Sequence, residues 1–278
     1  MRFKVIADSC CDFNEELKKT VDIKLVPLTI HIEDKVYVDD KDLDTRELLR
    51  AMSASDKAPQ TASPSPGDFI KEYEDAENIF VVTLSSMLSS THDHAMMAKK
   101  MVLEELPNKF IHVFDSFSAS VGETLISLKI LETLNNEEDN LKIVERVNEY
   151  IKNMKTFFVL ESLENLIKAG RIGSLKGKIA SLLSIKPIMR GTEKGEIALV
   201  ENVRGSKKAL RRLVEVIGEQ GEKLEDRILG IAHCNCLEKA LKFKEQVQQR
   251  YRFKDIIIVE TAGISTVYAN DGGLIIAF

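Results

Sequence analysis

Short apolar runs, rich in β-branched residues, alternate along the chain with stretches whose apolar positions recur every three or four residues. Residues 3–7, 23–30, 79–83 and 110–114 predict strands in the first half, and 156–160, 197–203, 227–233, 255–260 and 274–278 in the second. Several are nearly unbroken, as in Ile256-Ile257-Ile258-Val259, the pattern of a strand covered on both faces and usual in parallel sheets. Leu141, Val144, Val147, Ile151 and Met154 mark one helical face, and Leu237, Ala240, Leu241, Phe243 and Val247 another. The alternation predicts the α/β class, with helices flanking mostly parallel sheets. A length of 278 residues suits two domains. The boundary is expected at 152–156, where a polar-faced helix gives way to Phe157-Phe158-Val159-Leu160, dividing the chain into 1–155 and 156–278. Residues 51–68, with Pro59, Pro64, Pro66 and Gly67, predict an ordered loop, because proline fixes φ and removes a donor.

Composition narrows the function. A hydrophobic share of 44% suffices for packed cores, so disorder is excluded. The balance of 39 basic against 44 acidic residues argues against binding to nucleic acid. No apolar run reaches the roughly 18–20 residues of a membrane span, so no stable membrane insertion is expected. The opening Met1-Arg2-Phe3-Lys4-Val5-Ile6-Ala7 reads as a strand and not as a secretory signal. The cysteines fall as Cys10-Cys11 and Cys234-x-Cys236, which fits a reduced cytoplasm. Structural zinc sites want two matched elbows, so even with His233 beside them these read as small buried thiols, and no metal is expected.

Three first-half strands run into small hydroxyl residues: Asp8-Ser9, Ser85-Ser86 and Asp115-Ser116. In open parallel sheets ligands bind beyond the carboxyl ends of the strands, where helix amino termini favour an anion. Each residue alone reads first as a helix cap, and it is three at one sheet edge that bring a polar or anionic ligand level with that reading. The densest hydroxyl cluster, Ser85 to Thr91, lacks the G-x-S-x-G glycines of a serine nucleophile. His92 and His94 lie two apart on what reads as a helix, so they do not share a face. Neither G-x-x-x-x-G-K-[ST] nor G-x-G-x-x-G occurs, and no cofactor is expected. The second half carries a basic, glycine-punctuated stretch with Lys168, Gly170, Arg171, Lys176, Lys178 and Lys186, interspersed with Ile179, Leu182, Leu183 and Ile185. This character suits a helix that turns apolar side chains to a cavity while its cations stay near the surface. Arg204-Gly205-Ser206-Lys207-Lys208 adds a second basic cluster.

Together these residues resemble the bacterial DegV family. The resemblance rests on Asp8-Ser9, Pro59-Gln60-Thr61-Ala62-Ser63-Pro64-Ser65-Pro66, Leu88-Ser89-Ser90-Thr91 and Asp115-Ser116 with Ser120-x-Gly122. Lys168-Ala169-Gly170-Arg171-Ile172, Lys186-Pro187-Ile188 and Arg204-x-x-Lys207-Lys208-Ala209 continue it over essentially the whole chain. It implies two α/β domains with a ligand tunnel between them. It also implies a long-chain fatty acid in that tunnel, its carboxylate presented to an ATP-dependent fatty acid kinase that makes an acyl phosphate for phospholipid synthesis. By position, Thr61 and Ser89 would hold the carboxylate, with backbone N–H groups near Ser90 assisting, while Arg171 and Arg204 would line the mouth. Ser9 and Ser116 are further candidates at the same sheet edge.

The match departs from the family at three places. Ser90 stands where the family has glycine, and Thr124 where a second glycine follows Asp115-Ser116. The family's late Thr-His-x-Gly-Pro-Gly segment is replaced by residues 265–273, so its histidine is absent, and Tyr268 or Thr266 would have to supply that hydrogen bond. The leading expectation is a cytoplasmic fatty-acid carrier without catalytic chemistry of its own. The alternatives are a lipid-sensing regulator without phosphotransfer and a hydrolase or phosphotransferase using the Ser85–Ser90 cluster.

Overall fold

The computed structural model describes residues 3–74, 76–172 and 184–278. Lys176, Lys178, Ile179, Leu182 and Leu183 of the expected basic-apolar helix lie outside them; Ile185 and Lys186 open a strand instead.

The first half runs β1 (Phe3–Asp8), α1 (Glu15–Thr20), β2 (Ile23–Val26), β3 (Thr29–Ile32), β4 (Lys35–Val38), α2 (Thr45–Ala54), β5 (Gln60–Ala62) and α3 (Pro66–Tyr73). It continues with β6 (Asn78–Thr83), α4 (Thr91–Glu105), β7 (Phe110–Asp115), α5 (Val121–Leu134) and α6 (Asn140–Asn153). Strands β2-β1-β6-β7 form a wholly parallel sheet. Period-two alternation sends Val5, Ala7, Phe80 and Val82 to one face, under Ile126, Ile130, Ile143, Val147 and Ile151. Ile6, Ile79 and Val81 go to the other, against Phe69, Tyr73, Ala95 and Ala98. A buried phenylalanine or isoleucine here contributes about 1.5–3 kcal/mol. The small antiparallel sheet β4-β3-β5 lies beside it. The run 23–30 is therefore two strands, broken at Pro27-Leu28, and the expected loop 51–68 holds the end of α2, all of β5 and the start of α3. On α6 the buried face is Ile143, Val147 and Ile151, whereas Leu141 is exposed.

The second half runs β8 (Thr156–Val159), α7 (Glu164–Lys168), β9 (Ile185–Gly191), β10 (Ile197–Arg204), α8 (Ser206–Gln220), β11 (Ile228–His233), α9 (Leu237–Gln248), β12 (Asp255–Glu260), α10 (Gly263–Ala269) and β13 (Leu274–Ala277). Its sheet, ordered β10-β9-β8-β13-β11-β12, corrects the expectation of parallel pairing. Only β11–β12 is parallel; the other four pairings are antiparallel. The physical reason is that unbroken apolar runs report cover on both faces, not strand direction. Helices α8 and α9 cover one face through Leu213, Ile217, Ala240, Phe243 and Val247, while Leu237 and Leu241 of α9 are exposed.

Helix α5 joins the halves. Its Ile126 and Ile130 pack on the parallel sheet, and its Val121 and Leu125 pack with Ala232 and Ala277 of the second. Every residue from Val121 to Ser127 is buried, so the first turns of this helix have no solvent face. Gly230 permits the approach, since a Cβ there would lie 2.4 Å from Val121 Cγ2.

Candidate functional site

Between the carboxyl edge of the parallel sheet and the α5-side face of the second sheet lies a narrow cavity of about 110 Å³. Its walls are mostly apolar. Leu28, Leu84 and Leu88 come from the first half, and Phe158, Leu160, Leu166 and Ile275 from the second. Phe158 and Leu160 share one face of β8 and its extension with Thr156, since alternate residues along a strand point the same way.

Alcohols gather at one place on this wall. Thr61 Oγ1 and Tyr268 Oη are 2.7 Å apart, joining β5 to α10 across 207 residues of chain. Ser89 lines the cavity too, its Oγ 2.9 Å from Thr91 Oγ1. Helix α4 starts directly after: its N-cap Ser90 makes no capping bond, and Ser89 Oγ accepts from Thr91 N–H at 3.3 Å, so the positive end of the helix lies beside Ser89. Arg171 is the cation of this group. Its Nε donates to Leu88 O at 3.2 Å and its guanidinium sits 5.9 Å from the Tyr268 ring centre, a cation–π arrangement. Alcohols, helix end and guanidinium together can receive an anion, and the apolar walls can receive a hydrocarbon.

The remaining candidates are placed otherwise. Ser90 is exposed and bonds Ser63 Oγ at 2.8 Å. Ser9 donates to Asp39 Oδ2 at 2.9 Å and accepts from Leu28 N–H at 3.0 Å, inside the core. Ser116 donates to Ser118 O at 3.0 Å and accepts from Ser118 N–H at 3.1 Å, closing its own turn. Thr266 is buried on α10, with its Oγ1 2.8 Å from Thr261 Oγ1. None of these four lines the cavity. Arg204 is exposed at the end of β10, seven residues beyond the lining Ile197, so Arg171 and Arg204 do not share the wall. The serine cluster 85–90 brings no histidine to Ser89: His94 Nδ1 turns instead to Ser63 Oγ and Pro64 O.

The structure adds residues that the sequence reading passed over. Ser118 and Thr156 line the cavity with their hydroxyl oxygens 2.7 Å apart. Phe117 and Ser120, also on the wall, hold positive φ of 47° and 59°, strain concentrated at this loop. Behind Cys10, four carboxyl groups are buried: Asp8, Asp12, Asp39 and Glu123. Asp8 accepts from Leu84 N–H and Cys10 N–H, at 2.7 and 2.9 Å, yet burial pushes its carboxyl up to about 7. Burial likewise raises Asp12 to about 7 and Asp39 to about 6. Glu123 has no hydrogen-bond partner on either oxygen, and burial, reinforced by Asp8, holds it well above the carboxylate range. Asp8, Cys10 and Glu123 bring donor atoms within 4.8 Å of one another, the one such trio that could hold a metal among the described residues. Each Asp8 oxygen already accepts one backbone N–H, and burial drives the Cys10 thiol upward. One signal was available in the sequence: Glu123 is the lone acid in Val121-Gly122-Glu123-Thr124-Leu125-Ile126.

The family model described as an uncharacterised protein of the DegV family matches residues 2–278. A DegV domain-containing protein of Streptococcus pneumoniae is 34% identical over 280 residues, covering 100% of this chain and 99% of its own. Among solved structures, a DegV family protein from Ruminococcus gnavus, refined with vaccenic acid, has 44% identity and a TM-score of 0.95, covering 99% of each chain. The Streptococcus pneumoniae fatty acid kinase B3 protein, loaded with linoleic acid, has 33% identity and a TM-score of 0.92, covering 100% of this chain and 99% of that one. A DegV family protein from Eubacterium eligens, loaded with heptadecanoic acid, has 28% identity, a TM-score of 0.92 and 99% coverage of each. No helix of the described residues is long and apolar enough to cross a membrane.

Proposed function

This chain belongs to the DegV family, and from that premise we propose that it binds one long-chain fatty acid and presents its carboxylate to a partner kinase. The observation that carries the reading is the pairing of a narrow apolar cavity with a cluster of alcohols, Thr61, Ser89 and Tyr268, beside Arg171. A hydrocarbon tail needs only enclosure, and at about 0.8 kcal/mol per buried CH₂ it supplies most of the affinity. The acid head needs a few convergent donors. Tyr268 does the work of the family's absent histidine, its hydroxyl already in register with Thr61. Residues 1–155 supply Thr61 and Ser89, and residues 156–278 supply Arg171, Tyr268 and most of the apolar wall. The reaction with ATP belongs to the partner, so the carrier needs no catalytic group and no cofactor. Relatives solved with vaccenic, linoleic and heptadecanoic acids support the ligand class.

The test is a calorimetric titration with oleate, followed by addition of a fatty acid kinase and ATP with hydroxylamine trapping of acyl phosphate. Saturable binding of one oleate and a trapped acyl hydroxamate are expected. Binding without any hydroxamate would favour a lipid sensor over a presenter, a reading supported by the departure at the histidine position. Absence of binding would overturn both.

A further inference from the structure

Helix α10 carries four cavity residues, Ile264, Ser265, Tyr268 and Ala269, of which Ser265 and Tyr268 are three apart and so on one face. It belongs to the second half by sequence, yet its amino terminus is gripped by the first. Asp39 Oδ1 accepts from Gly263 N–H at 2.7 Å and Asp39 Oδ2 from Ile264 N–H at 2.9 Å. Asp12 Oδ1 accepts from Ala262 N–H at 2.7 Å, while its other oxygen accepts from Ser120 Oγ. Three consecutive backbone donors thus meet two buried carboxyl groups that come from 224 to 250 residues earlier in the chain. The fit is close enough to require glycine, because a Cβ at position 263 would lie 2.5 Å from Asp39 Oδ1. Ser9 completes the grip by donating to Asp39 Oδ2. At the far end of α10, Asn165 Nδ2 donates to Val267 O at 2.7 Å, and Tyr268 reaches Thr61.

We propose that Asp39, backed by Ser9 and Asp12, is a positioning residue that sets the Tyr268 hydroxyl against Thr61 and so determines selectivity for a carboxylate head group over an uncharged one. The inference rests on the reading of this cavity as a fatty-acid site. A helix of seven residues moves as one body, so slackening its amino terminus displaces Tyr268 at the other end. A displacement of about 1 Å is enough to lose a directional contact. The helix also brings Ile264 and Ala269 to the wall, but the apolar walls on β8 and β13 do not hang on it, so most of the enclosure of the tail is left in place.

The experiment compares oleate with oleyl alcohol, equal in chain and different in head, on the wild-type protein and on Asp39→Asn, Tyr268→Phe and the double variant. Asp39→Asn is expected to bind oleate about tenfold more weakly while its affinity for the alcohol stays within about twofold. Tyr268→Phe should do the same, and the double variant should lose no more than the larger single loss, since both act through one hydroxyl. Equal weakening toward acid and alcohol, or losses that multiply in the double variant, would overturn the proposal and leave Asp39 a purely structural residue. Should Asp39→Asn fail to fold, Ser9→Ala takes its place: it keeps both carboxylates and withdraws one donor. It should show the same acid-selective loss to a smaller degree, and unaltered selectivity would count against the proposal. A wild-type protein that binds neither ligand would instead bring down the fatty-acid reading itself, and this inference with it.

Discussion

Thr61 is the residue on which the proposed carboxylate site turns, because its hydroxyl is already oriented by Tyr268 at 2.7 Å and it lines the cavity. Replacing it by alanine removes one donor to a charged group, about 1.5–3 kcal/mol. The oleate dissociation constant of Thr61→Ala should therefore rise roughly tenfold to a hundredfold; an unchanged value in calorimetry would remove Thr61 from the site. Ser9, Ser116 and Thr266 carry the same hydroxyl chemistry but satisfy neighbours within the fold. A hydroxyl beyond a strand end can bond its own turn or face a cavity, and the choice depends on backbone direction that a linear pattern does not carry. Glu123 is a second residue-scale case. An acid kept protonated by the fold binds more protons folded than unfolded at pH values between its ordinary 4.5 and its raised value. Its stabilising effect is thus complete below about pH 4.5 and is lost as pH rises through that window. Asp8, Asp12 and Asp39, raised to about 7, 7 and 6, act in the same direction. Urea unfolding at pH 5, 6 and 7 should show stability falling as pH rises, and Glu123→Gln should flatten the fall by up to about 1.4 kcal/mol per pH unit. An equal slope in both proteins would mean that Glu123 is ionised.

At the scale of elements, the strands of the parallel sheet were legible as short apolar runs, three of which lead into small polar residues, as Ile79 to Thr83 does into Ser85-Ser86. The order of the second sheet was not. β13, from the end of the chain, inserts between β8 and β11 by antiparallel pairing, a long-range choice with no local signature. β5 was hidden for another reason. Only Gln60, Thr61 and Ala62 pair, between prolines, so the punctuation dominates the pattern while the pairing with β3 fixes Thr61. The packing of α5 on β11 offers an element-scale test. Gly230→Ala would bring a methyl group to 2.4 Å from Val121 Cγ2, and overpacking of this kind costs about 1–3 kcal/mol. Urea unfolding should register that loss, and Val121→Ala should restore part of it. Full stability in Gly230→Ala alone would show that α5 is free to shift.

For the molecule as a whole, the cavity exists because two sheets with different strand directions share one buried helix and leave a gap where neither sheet's side chains fill the space. The resemblance carried by Thr61, Ser89 and Arg171 identified one wall of that gap; the Asp12 and Asp39 grip on α10 became visible only once residues more than 220 positions apart were in contact. The central claim is that the gap encloses an acyl chain. Denaturing mass spectrometry of protein purified without added lipid tests it most directly. The account predicts recovery of close to one long-chain fatty acid per protein. Recovery of no acyl chain, together with no thermal shift on adding oleate or palmitate, would contradict it.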